Sequence, residues 1–200
     1  MTRSLNASPR IDQDPHPFLA KYELVDGELI EALALRNRVF INPESGAAEN
    51  PFRSEFRLIP RLGGLLLIKT ELFLLKKCLL ELGEEQLYIL EDGEGMPNGQ
   101  QLNFRFPRSI TWEEMNSGGV VSFELLKRPI RNYFVFGSAG DWGKYAANDI
   151  ERPIDLFGFS IHRAPIFRSL FEPGKKERSK LREWIPTSIY PFLDEELTRP

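Results

Sequence analysis

Carboxylates, two histidines and a single cysteine are the side chains here with chemistry to offer. Glu81, Glu84, Glu85, Glu91, Asp92 and Glu94 place six acids within fourteen residues with no base among them. Unopposed acids at this density form either a solvated end of a domain or a field that steers a basic partner. The first candidate contact surface is therefore an acidic rim of Glu84, Glu85, Glu91, Asp92 and Glu94. The second is Asp141, Trp142 and Tyr145, where aromatic anchors sit beside a charge at a Gly-rich turn.

Catalytic patterns fare less well. Gly158-Phe159-Ser160-Ile161-His162 starts like a nucleophile elbow, but that turn needs glycine where His162 stands. Ser160 and His162, two apart, share a strand face and read as a surface pair. Gly137, Gly140 and Gly143 have neither the spacing nor the following Lys-Ser or Lys-Thr of a phosphate loop, and read as a hairpin turn. Glu113-Glu114, like the acids after residue 90, are adjacent in sequence, whereas a glycosidase needs two acids on opposed walls. His16 and His162 form no zinc-ligand pair, and no acidic loop has calcium-site spacing. Cys78 falls inside an apolar helical stripe and reads as a small buried hydrophobe. No catalytic residue, metal or cofactor is expected.

Composition sets the outer bounds. The chain has 200 residues, of which 42% are hydrophobic, 12% aromatic and 28% charged, with a net charge of −3. That is enough for one well-packed domain, and it excludes a strongly basic nucleic-acid coat. Residues 175–183 hold five bases but are interrupted by two acids, so they read as a solvated helix. One cysteine excludes a disulfide within the chain. No secretory signal is visible near the start, and charges break the apolar stretch Leu62–Leu82, so a cytoplasmic protein without a membrane span is expected.

The elements that must position these side chains follow from periodicity. Residues 1–17 are polar and proline-bearing and read as a flexible arm, leaving 18–200 as one domain. Phe18–Phe40 fits two strands or a strand and a helix. Leu65–Ile68 reads as a buried strand, and Thr70 as the N-cap of a helix to Leu82. In that helix Leu72, Leu75, Leu79 and Leu82 form an apolar stripe that Phe73 and Leu80 widen, and Gly83 supplies the left-handed cap. Strands are expected at 86–90, 102–106 and 120–126. Thr111 should cap a short helix within 109–116. A hairpin is expected at 132–146, and a strand near an edge at 153–159 because of Pro153. Pro165 opens a helix, and 179–184 adds another. The expected fold is α+β: one domain, a mostly antiparallel or mixed sheet, helices packed on one side.

The run Tyr133–Asp149 (an apolar strand, a Gly-rich turn, Trp-Gly-x-Tyr and an Asn-Asp ending) resembles small bacterial immunity-type proteins. The Leu65–Leu90 layout of strand, capped helix and strand is similar to theirs as well. The resemblance implies a non-catalytic cytoplasmic binding protein that neutralises a cognate protein toxin by occluding its active site. It transfers no catalytic or contact residue. Two other classes stay open: a small hydrolase using carboxylates and His162, and a structural or assembly accessory protein.

Overall fold

The structure is a computed structural model and describes residues 17–41, 50–63, 67–92, 103–115, 132–146 and 154–194. Among these, six strands form one antiparallel sheet: β1 (Arg57–Leu62), β2 (Gln86–Asp92), β3 (Asn103–Pro107), β4 (Asn132–Gly137), β5 (Trp142–Ala146) and β6 (Ile154–Phe159). Their order across the sheet is β1-β6-β5-β4-β2-β3. The helices are α1 (Pro17–Ala20), α2 (Asp26–Val39), α3 (Lys69–Leu82), α4 (Trp112–Met115), α5 (Ala164–Phe171) and α6 (Lys175–Trp184). The protein is an α+β single domain.

Alternation along the strands divides the core in two. On β4, Tyr133 and Val135 face one side, while Phe134 and Phe136 face the other. The first side packs under α3, through Leu72, Leu75, Cys78 and Leu79, and under α5, through Phe167 and Phe171. Phe159 stacks on Phe167 at 4.9 Å, and Phe157 on Phe171 at 4.3 Å. The second side packs under α2, through Ala32 and Val39, and under Leu181 of α6 with Ile185 and Ile189 beyond it. The expected one-sided arrangement therefore needs correction, because helices cover both faces. The cause is in the strands: Tyr133-Phe134-Val135-Phe136 is apolar without interruption, and both of its faces need cover.

Local chemistry sets the ends of α3. Gly83 adopts a left-handed φ of 71°, and the Glu84 amide turns back to the Leu79 carbonyl at 2.8 Å, closing the helix. The expected N-cap is corrected: the helix begins at Lys69, so Ile68 takes that place and Thr70 lies inside. The strand before α3 is β1; Leu67 and Ile68 belong to no strand, and residues 64–66 lie outside the described set. At α4 the capping reading holds. The Glu114 amide donates to Thr111 Oγ1 at 3.0 Å, and the Thr111 amide donates to Glu114 Oε2 at 2.9 Å.

Other expectations shift. Phe18–Phe40 is a short helix and a long one, with isolated bridges at Glu23 and Phe40. β6 lies near an edge, as expected, one strand in, between the edge strand β1 and β5. The helix expected at 179–184 starts at Lys175. The strand expected at 120–126 lies outside the described residues, as do Glu94 and residues 1–16 of the arm expected at 1–17, whose last residue, Pro17, begins α1.

Both outermost strands are flanked by non-strand backbone. Beside β3, the Leu24 amide donates to the Asn103 carbonyl at 2.8 Å and the Arg105 amide to the Tyr22 carbonyl at 2.9 Å. Beside β1, the Asp194 amide donates to the Leu58 carbonyl at 2.9 Å. Asp194 is itself buried, and Arg168 holds its two carboxylate oxygens at 2.9 and 3.0 Å.

Candidate functional site

The acids expected to form a rim do not share one. Glu84 and Glu85 precede β2, whereas Glu91 and Asp92 end it. At the rise of a strand, the six residue steps from Glu85 to Glu91 span about 20 Å, so the two pairs occupy opposite ends of the sheet.

Nor are most of these side chains available to a partner. Glu84 is buried and accepts three hydrogen bonds: from Trp142 Nε1 at 2.7 Å, the Ala139 amide at 3.0 Å and Ser138 Oγ at 3.2 Å. It clamps the end of α3 to the β4–β5 turn. Gly137 is required there, because a Cβ would lie 2.1 Å from Glu84 Oε2. Glu91, Trp142 and Tyr145 are buried too. Glu85 is exposed and pairs with Arg108 at 2.7 Å. The acidic rim as a contact surface is thus corrected: Glu84 and Glu91 belong to the interior, and of the hairpin trio Trp142 and Tyr145 do as well.

Asp92 is half-buried and accepts the Tyr145 hydroxyl at 3.0 Å. Burial pushes its carboxyl above the ordinary aspartate range, against the opposing pull of Tyr145 and Arg36. A carboxyl raised in the folded state holds its proton more tightly there. It therefore weakens the fold as pH rises from about 3.9 through the folded value. Asp92→Asn keeps an acceptor for Tyr145 and removes the buried charge. The variant is expected to match the parent below about pH 3.9 and to exceed it in stability at neutral pH. Urea titrations at the two pH values check this, and a less stable variant at neutral pH rules it out.

Asp141, the remaining acid of the hairpin, gathers a small cluster. Arg163 Nε donates to its Oδ2 at 2.7 Å, and His162 Nε2 lies 3.2 Å from the same oxygen. Ser160 Oγ is 3.4 Å from that same His162 nitrogen. A Ser-His-Asp relay needs the acid on one ring nitrogen and the serine on the other. Here both neighbours meet Nε2, and the His162 side chain is 62% exposed. The cluster ties the β4–β5 turn to the start of α5.

Lys144 on β5 is fully buried among three elements. Its ammonium lies 2.7 Å from Glu71 of α3 and 2.9 Å from Asp155 of β6. Burial alone pulls that ammonium down, but the Asp155 and Glu71 carboxylates together outweigh it and hold the group above the ordinary lysine range. A recess of about 210 Å³, lined in part by Arg61, Thr70, Glu71 and Asp155, opens beside this triad. Arg61 is held by Glu177 at 2.8 Å.

A larger concavity of about 670 Å³ runs along the outer face of α3. Its apolar lining is Leu72, Phe73, Leu80 and Trp112. Phe73 is 68% exposed and Leu80 61%, so the expectation that they widen the buried stripe is corrected. At 3.6 residues per turn each lies about 100° around the helix from Leu72 or Leu79, away from the sheet. The opposite wall is the segment after β3. Lys76 Nζ reaches across to the Ile110 carbonyl at 2.7 Å, and Lys69 pairs with Glu113 at 2.8 Å. The lysine beside Phe73 holds Glu113 below the ordinary carboxylate range. Sequence reasoning missed this site. The available signal was that Phe73 and Leu80, seven apart, share an arc with Lys69, Lys76 and Lys77 rather than with the leucines.

Among the described residues, no group of three or more His, Cys, Asp or Glu is placed to hold a metal ion, and no helix is long and apolar enough to cross a membrane. Compared with protein-family models, curated proteins and solved structures, the chain matches none.

Proposed function

We propose that this chain is a non-catalytic binding protein of the immunity type. It neutralises a cognate bacterial toxin in the cytoplasm by docking over the toxin's active site or substrate path. One observation carries the docking part: Phe73 and Leu80, large and apolar, stand in solvent along a concave groove. Exposed apolar surface grouped in this way marks interaction sites, and large apolar side chains near the centre of a contact supply most of its affinity. The toxin as partner rests on the resemblance of Tyr133–Asp149 and Leu65–Leu90 to immunity-type proteins. The titratable clusters support the same reading, since Glu84, Lys144 and Asp141 each join elements of the fold.

The test is co-expression with toxin-like reading frames from the source genome, flanking genes first. The parent chain is expected to restore growth of a toxin-producing host. Phe73→Ala with Leu80→Ala should abolish that protection while leaving the amount of folded protein unchanged, because both side chains are exposed. His162→Ala should protect like the parent. Protection that needs His162 and tolerates the groove variant overturns the proposal in favour of an enzyme.

A further inference from the structure

We infer that the groove along α3 receives an acidic amphipathic α-helix of the partner protein. The inference rests on the docking reading and names the chemistry of what docks.

Length comes first. The α3 residues lining the groove run from Lys69 to Leu80. The eleven steps of helical rise between them span about 16 Å, the length of a three-turn helix. Phe73 and Leu80 are seven residues apart and so lie on one line along α3. An apolar stripe on a partner helix, with anchors repeating every three or four residues, meets such a line side by side.

Charge comes second. Four bases line the groove, Lys69, Lys76, Lys77 and Arg108, against two acids, Glu85 and Glu113. Both acids are already paired, with Arg108 and Lys69. The Lys76 ammonium donates to a carbonyl and also acts on the Glu114 carboxylate, which lies outside the groove lining, and Lys77 has no ion pair among the described residues. The bases lining the groove therefore outnumber the acids lining it four to two, on a chain whose net charge is −3. Acids flanking the apolar stripe of the incoming helix complement this excess, and a basic helix is repelled.

Shape comes third. The floor at Leu72 lies between α3 and the wall formed by Arg108, Ser109, Thr111 and Trp112. A helix ridge enters that concavity, while a flat lipid surface meets only its two banks.

The probe is a synthetic peptide of about twelve residues, long enough to span the groove, with leucines along one face and glutamates beside them. A control peptide carries lysine in place of glutamate. Binding to the full chain is followed by amide NMR shifts. The acidic peptide is expected to move residues 69–80 and 108–113 and to bind about tenfold more tightly than the basic one, in line with a few complementary surface charges. Its affinity should fall as salt is raised and fall again in Lys77→Glu. Phe73→Ala with Leu80→Ala should remove the shifts, with spectral dispersion confirming that this variant is folded.

Equal binding of the two peptides overturns the inference, as do shifts confined to other surfaces. Capture by anionic phosphatidylglycerol vesicles in place of the acidic peptide assigns the groove to lipid and overturns it. A dimer in sedimentation that Phe73→Ala with Leu80→Ala dissolves assigns it to a second copy and overturns it too. The two failures are distinguishable. If protection from toxin depends on Phe73 and Leu80 while the acidic peptide does not bind, docking stands and the acidic helix falls. If the peptide binds and protection ignores those residues, the docking reading falls.

Discussion

Lys144→Met is expected to lower the free energy of unfolding by about 3–5 kcal/mol, the usual consequence of removing one partner from a buried ionic group. Methionine matches the length of the lysine stem, so packing against Phe157 is largely kept. What is lost is the charge that Glu71 and Asp155 were arranged around. Both carboxylates then lose the ammonium they close on at 2.7 and 2.9 Å. Adding Glu71→Gln and Asp155→Asn to Lys144→Met should recover part of the loss, because it removes their charges while preserving shape. The pH dependence has a defined sign. The folded ammonium is held above the ordinary lysine range by its partners. Its contribution is therefore complete below the unfolded value of about 10.4 and disappears as pH rises through the folded one. Urea titrations should show an alkaline decline in the parent that Lys144→Met lacks. A loss under about 1 kcal/mol, the scale of an exposed pair, would dismiss the triad as an organising centre.

Glu84→Ala should cost about 1–3 kcal/mol, because it strands the Trp142 indole N–H in the interior and takes the acceptor from the Ala139 amide at the turn. Glu84→Gln keeps one carbonyl oxygen for Trp142 and should cost clearly less. Near-ultraviolet circular dichroism reads the indole environment directly, and urea unfolding gives the energies. The ordering of the two variants carries the argument. A carboxylate that served mainly to attract a basic partner would lose its role equally in Ala and Gln, with stability unchanged in both.

The parts of the fold that could be read from sequence are those set by neighbours in the chain. The leucines of α3, the Thr111–Glu114 cap and the β4–β5 hairpin all follow from spacings of two to seven residues. β1 was missed because Pro60 argues against a strand. It is tolerated at the sheet edge, where one side of the backbone needs no ladder partner. α2 was ambiguous because its apolar residues are spread around the helix: Ala32 and Val39 are buried, and Ile30 is exposed. The site was less legible still. A run of acids looks solvated until its partners are known, and those of Glu84 lie 54 to 58 residues away. Phe73 and Leu80 look like core residues until the sheet fixes which arc of α3 faces inward.

The flanking of β1 and β3 by Leu193-Asp194 and by Tyr22–Leu24 also restricts how other molecules engage this domain. An incoming extended peptide finds carbonyls and amides along both borders already committed, at Leu58 on one and at Asn103 and Arg105 on the other. Recognition by adding a strand, and the runaway stacking of copies that open borders invite, are both obstructed there. Association is directed to side chains presented by the helices, and freeing Asp194 from Arg168 would be one way to reopen a border.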